Sequence, residues 1–297
     1  MTSIAALIAA ERLPPGYAAT VERWWRPLAA RIAAWHAAVG RPLIVGINGA
    51  QGSGKSTLCR FLEAALLPEL GLRPVTVSLD DLYLPRADRL RLATEVHPLM
   101  RTRGVPGTHD AALGIALLDD LAAGRDACLP QFSKALDDRL PRGDWSSHSG
   151  PVDIILFEGW CVGATAQDVA ELAIPINTLE READADVAWR GYVNAKLVGP
   201  YADLFSRIDR LVVLQPPNFS SVVRNRLRQE ARLRDIAPDA PGLMDEAGVR
   251  RFVSHYERLT RHMFAELAPR ADALFALDEQ QDAISVTRGA DDGHSRR

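Results

Sequence analysis

Residues 46–57 read GINGAQGSGKST, and this stretch decides the fold. It holds the spacing Gly49-x4-Gly54-Lys55-Ser56, which is the phosphate-binding loop pattern G-x-x-x-x-G-K-[ST]. Each position has a chemical reason. Polyphosphate must come close to backbone N–H groups, so side chains are excluded at the glycines. The loop runs into a helix N-terminus, whose dipole favours anions. Lys55 is a compact charge on a flexible stem that reaches β- and γ-phosphates, and Ser56 offers a hydroxyl to magnesium. Gly49, Ala50, Gln51, Gly52, Ser53, Gly54, Lys55, Ser56 and Thr57 are therefore the expected binding set for ATP with Mg²⁺. Lys55, Lys134 and Lys196 are the only lysines among 35 basic residues, so a retained lysine marks a place where a guanidinium would fail.

Outward from the loop, LIVGI (43–47) reads as a buried strand before it and residues 55–67 as a helix after it. Further apolar runs at 75–79, 152–157, 211–215 and 273–278 read as strands. These runs are continuous rather than alternating, as parallel strands covered on both faces require. The expected fold class is α/β: a doubly wound, mostly parallel sheet of the P-loop NTPase kinase type, with helices on both faces. Trp24, Leu28, Ile32 and Trp35 recur at helical spacing, so residues 1–40 read as an N-terminal helical extension packed on the core. Residues 41–285 form the expected kinase domain, with a lid near 222–236, and 286–297 a loose polar tail.

The totals exclude several classes. A net charge of −3 argues against a general nucleic-acid binder. Cys59, Cys128 and Cys161 are far apart and odd in number, which suggests neither a disulfide framework nor a zinc site and fits a reducing compartment. No run reaches the ~18 apolar residues of a membrane span, and MTSIAALIAAERL lacks the basic start of a signal peptide. The expectation is a cytoplasmic protein with a small-molecule partner, no nucleic acid and no membrane; oligomeric state is not legible.

The loop alone does not choose among its users. NAKL (194–197) is not the N-K-x-D guanine reader of a GTPase, and no L-S-G-G-Q transporter signature occurs. In SLDDLYLP, Asp80 and Asp81 follow the second strand, where a carboxylate can orient or deprotonate an attacking hydroxyl. Glu158 ends the third strand and suits magnesium. In RTRGVPGTHD (101–110), Arg101 and Arg103 flank a rigid turn and suit capture of a carboxylate or phosphate. Thr108 is a candidate helix cap, while His109 alone is more often a structural hydrogen-bonding residue than a base. Lys134, in LPQFSKALDDR, is a candidate contact to an anionic ligand; Lys196 sits in an ordinary amphipathic pattern. Arg224, Arg226, Arg228, Arg232 and Arg234 lie on one helix, with 224, 228 and 232 on a shared face that could close over the transferred phosphate.

Taken together, GINGAQGSGKST, SLDDLYLP, RTRGVPGTHD, LPQFSKALDDR, ILFEGW, YADLFSRIDRLVVLQPPNF, RLRQEARLR and FVSHYERLTRHM resemble the D-glycerate 3-kinase family and its bacterial and fungal ATP-dependent kinase relatives, within the uridine kinase and phosphoribulokinase superfamily. The likeness covers residues 40 to 265, and RGxPGTHD with QFSKALDDR and FEGW is its most specific part. It implies transfer of the ATP γ-phosphoryl group to a hydroxyl of a small anionic metabolite, best matched by D-glycerate. Uridine kinases read D-x-F-Y at the corresponding segment, so the resemblance implies Asp80 as the base; Leu82 replaces the phenylalanine. The lid helix lacks the tryptophan expected near its start. The catalytic set so implied is Lys55, Asp80 and Arg228. Ser56 and Glu158 hold the metal, and Asp80, Tyr83, Arg101, Arg103, His109, Asp110 and Lys134 line the acceptor. The alternatives are a nucleoside or pantothenate-type kinase, and a regulatory protein that binds ATP without a metabolite substrate.

Overall fold

A computed structural model describes residues 2–236 and 243–289. Its centre is a sheet of six strands: β1 (Leu43–Gly49), β2 (Pro74–Ser78), β3 (Ile154–Gly159), β4 (Arg210–Gln215), β5 (Ala273–Leu277) and β6 (Ala283–Arg288), in the order β6-β5-β4-β1-β3-β2. The first five run parallel and β6 pairs antiparallel with β5. Residues 286–288, read from sequence as the start of a loose tail, therefore end a strand. Their alternation of apolar and polar residues suits an edge with one covered face; the rest of the expected tail, 290–297, lies outside the described residues.

The continuous apolar runs divide by alternation. Ile44, Ile155, Phe157, Leu211 and Val213 enter one hydrophobic cluster, and Leu43, Val45, Ile154, Leu156, Val212 and Leu214 enter the other. β1, β3 and β4 thus bury both faces, which fixes the sheet as a middle layer, while β2 and β5 alternate buried and half-buried residues. The first face is covered by α3 (Ala111–Ala122), α4 (Ala188–Val198), α5 (Pro200–Phe205) and α7 (Glu246–Glu266), through Leu117, Leu118, Leu197, Leu204, Leu259 and Met263. The second is covered by α1 (Arg26–Val39), with Leu28, Ile32 and Trp35, and by α2 (Lys55–Phe61), with Leu58 and Phe61. Among the described residues no helix is long and apolar enough to cross a membrane.

This topology sets the site. The chain leaves β1 for β2 and returns to β3 between them, so the C-terminal ends of all three meet at a switch point. Register aligns Asn48 with Gly159 on one side and Ser78 with Glu158 on the other. The phosphate loop, Glu158 and the Asp80 segment are therefore neighbours because of strand order, although they are distant in sequence.

Candidate active site

The loop after β1 turns sharply enough to aim its amides inward because Gly52 and Gly54 adopt φ of +76° and +84°, which only glycine adopts freely. Gly54 leads directly into α2, whose first residue is Lys55. Gln51, Gly52, Gly54, Lys55, Ser56 and Thr57 line a cavity of about 710 Å³, while Gly49, Ala50 and Ser53 lie behind it. Ala50 instead packs among Phe219, Val222 and Val249, and its carbonyl accepts from the Ser53 amide. Lys55 makes no ion pair or hydrogen bond through its ammonium among the described residues, although its charge reaches Asp80.

Behind Lys55 three side chains converge. Glu158 Oε1 accepts from Ser56 Oγ at 3.1 Å and from Ser78 Oγ at 3.0 Å, while its buried Oε2 has no partner. A hard oxygen set with one carboxylate oxygen uncommitted fits Mg²⁺. Ser78 was given no role from the sequence, although it opens the quoted SLDDLYLP stretch at the end of β2.

Both adjacent acids lie in a short helical turn over Leu79–Leu82 and take different partners. Asp80 faces the cavity; its Oδ1 accepts from Tyr83 Oη at 2.9 Å and its Oδ2 meets Lys134 Nζ at 2.8 Å. Burial pushes this carboxyl upward. The charges of Lys134 and Lys55, with hydrogen bonds from Lys134 and Tyr83, outweigh that and hold it at about 2. Asp81 is taken by structure instead: Oδ1 accepts the Phe132 amide at 3.0 Å, and burial raises its pKa. That bond anchors the hairpin of Phe132–Ser133 and Asp138–Arg139 that carries Lys134.

The other expected acceptor residues divide. Tyr83 and Arg103 line the cavity. Arg103 pairs with Asp137 on the hairpin and lies 5.6 Å from the Phe132 ring centroid. Arg101 is exposed and outside the lining; its carbonyl accepts from the fully buried Arg89. His109 is buried behind Tyr83, stacked at 4.5 Å, with Nδ1 bonded to Tyr201 Oη at 2.5 Å, and burial depresses its pKa to about 3. Tyr201 Oη also accepts from the amides of Gly107 and His109, so its own proton goes to Nδ1. The imidazole is thus a neutral wedge beneath the substrate wall rather than a group in the cavity. Asp110, not Thr108, caps α3, accepting the Leu113 amide, and pairs with Arg139; Thr108 closes its own loop onto Val105.

On the lid side, α6 (Phe219–Ile236) presents Arg226, not Arg228, to the cavity. Two residues along a helix is a turn of roughly 200°, so the two cannot share a face. Arg228 donates to the Glu279 carbonyl, and Arg224 pairs with Glu279 at 2.9 Å. Arg226 lies over Phe252 and pairs with Glu230 at 2.6 Å, and its buried Nε has no partner. Lys196 is not among the residues lining this cavity; its Nζ lies 4.8 Å from the Tyr192 ring centroid.

One glycine shapes the far wall. Trp160 Nε1 donates to the Gly104 carbonyl and Tyr256 Oη to the Arg103 carbonyl, at 2.8 and 2.9 Å. Gly104 has φ of +130°, and a Cβ there would stand 2.2 Å from Tyr256 Oη. Gly104→Ala is expected to destabilise the fold by about 3 kcal/mol, read as a drop of several degrees in thermal unfolding; an unchanged midpoint would contradict the packing described.

Comparison with known proteins agrees with this geometry. No protein-family model matches the chain. It is 35% identical over 227 residues to the uncharacterized kinase mug58 of Schizosaccharomyces pombe, covering 73% of this chain and 79% of that protein. It is 29% identical over 229 residues to the chloroplastic D-glycerate 3-kinase of Arabidopsis thaliana, which spans 72% of this chain but 46% of that longer protein. The D-glycerate 3-kinase structure from Cryptococcus neoformans superposes with a TM-score of 0.76 at 26% identity, over 90% of this chain and 99% of the other.

Proposed function

Since the chain belongs to the family of D-glycerate 3-kinase and its P-loop kinase relatives, we propose that it transfers the γ-phosphoryl group of ATP to a hydroxyl of D-glycerate. The observation that supports this acceptor is that two cations, Lys134 and Arg103, line the same cavity as the phosphate loop beside the ionised Asp80, with Asp137 there as the partner of Arg103. A hydroxy acid matches it: the hydroxyl meets the carboxylate and the acid group meets the cations.

In this reading the loop amides and Lys55 hold the β- and γ-phosphates. Ser56 and Glu158 would hold Mg²⁺, which supplies charge neutralisation on the phosphates when bound. Asp80 orients the attacking hydroxyl and takes its proton. In the loose transition state of phosphoryl transfer the proton moves late, so an acid this weakly basic is sufficient. Arg226 is the lid cation nearest the transferred group, replacing Arg228 in that role.

A nucleoside or pantothenate acceptor, and a regulatory role without an acceptor, are not favoured. The D-glycerate 3-kinase of Arabidopsis aligns with 72% of this chain, against 40% for the pantothenate kinase of Nitrobacter hamburgensis, and the cations of the cavity have no partner on a neutral nucleoside. Purified protein with Mg-ATP should release ADP at least about 100-fold faster with D-glycerate than with uridine, pantothenate or no acceptor. A slow background that no compound changes would refute the kinase assignment. A response to another acceptor alone would refute the substrate.

A further inference from the structure

The pairing of Lys134 with Asp80 is awkward for a base. An ammonium 2.8 Å from Oδ2 occupies the oxygen that an incoming hydroxyl needs, since Oδ1 is held by Tyr83 Oη. The two partners differ in freedom. The Lys134 side chain is 65% exposed and that of Asp80 30%. The hairpin beneath Lys134 is pinned: the Phe132 amide is on Asp81, and Arg139 donates to the carbonyls of Leu82 and Tyr83. Arg103 is already engaged by Asp137. The movable cation at this wall is therefore the lysine stem itself, swinging on a fixed platform.

We propose that Lys134 is a latch on the base, closed on Asp80 Oδ2 in the free enzyme and drawn off by the carboxylate of an acidic acceptor, so that recognising the acid group frees the base. The inference rests on the substrate class proposed above and makes Lys134 a specificity-determining residue. Once the ammonium has moved, Oδ2 receives the proton as the acceptor O–H breaks. The acceptor oxygen bonds the γ-phosphorus, the bond from that phosphorus to the bridging oxygen breaks, and ADP leaves with that electron pair. A neutral alcohol has nothing with which to open the latch. Selection against it then falls on the catalytic step as well as on binding.

The test compares D-glycerate with glycerol, its neutral counterpart, in the wild type, Lys134→Met and Lys134→Arg, with saturating Mg-ATP. Lys134→Met is expected to lower kcat/KM for D-glycerate about 100-fold and to raise kcat for glycerol about 10-fold. Lys134→Arg, which keeps the charge, should show no gain on glycerol. Unchanged Mg-ADP affinity confirms that the variants are folded. Equal losses on both acceptors, or a higher KM for D-glycerate with glycerol unchanged, would overturn the latch while leaving the kinase assignment standing. If the wild type ignores D-glycerate, the substrate assignment falls instead. The same comparison is then made on whichever acidic acceptor is phosphorylated and its neutral analogue, and equal wild-type kcat on those two would overturn the latch.

Discussion

Lys55→Ala is expected to lower kcat/KM at least about 10³-fold, with the acceptor's own binding little changed. Lys55 opens α2 at the mouth of the loop and makes no ion pair among the described residues, so its charge is available to the phosphates. Removing it leaves the helix dipole and amides, which bind anions but do not follow the γ-phosphoryl group as it moves. Lys55→Arg is expected to recover little of this loss, because a planar fork does not fit a cradle shaped for a point charge. The measurement is steady-state ADP release across ATP concentrations, and near-normal turnover by Lys55→Ala would remove the basis of the nucleotide site.

The second large effect concerns Asp80. Asp80→Asn keeps the side-chain volume and an oxygen for Tyr83 Oη, but loses the charge and the ion pair with Lys134. Turnover is expected to fall about 10²–10³-fold, while affinity for an Mg-ATP analogue moves less than about threefold. Asp81→Asn separates position from chemistry. Its carboxylate serves the Phe132 amide, and an asparagine oxygen can do the same, so it should retain most activity. If Asp80→Asn stays near wild-type turnover, or if Asp81→Asn is the slower of the two, the base has been assigned to the wrong carboxylate.

Two of the three lysines line the cavity: Lys55 was read from the phosphate-loop pattern, and scarcity added weight to Lys134. The motif RTRGVPGTHD was legible as chemically dense but not as a division of labour. Arg103 reaches the cavity, Arg101 stays exposed, His109 braces Tyr83 and Asp110 caps α3. Polar side chains that build a wall look, in one dimension, like those that line it. The arginine helix shows the same limit. Its i, i+4 spacing identified a face with 224 and 228, but packing of α6 against Phe252 and the Glu230 pair turned Arg226 inward. Ser78 and Trp160 stood inside the quoted motifs SLDDLYLP and ILFEGW, but nothing in those motifs told their roles.

The primary structure by itself determined the phosphate loop, the parallel strands and the family, because these depend on local spacing: glycines where amides must be bare, and apolar runs where both faces are covered. Only the tertiary structure decided which acid is free and which cation answers it. Ser56, Ser78, Asp80, Lys134 and Glu158 come from four separate segments, and they meet because strand order brings the ends of β1, β2 and β3 to one edge. Contacts between segments are set by packing and register, which no local spacing encodes.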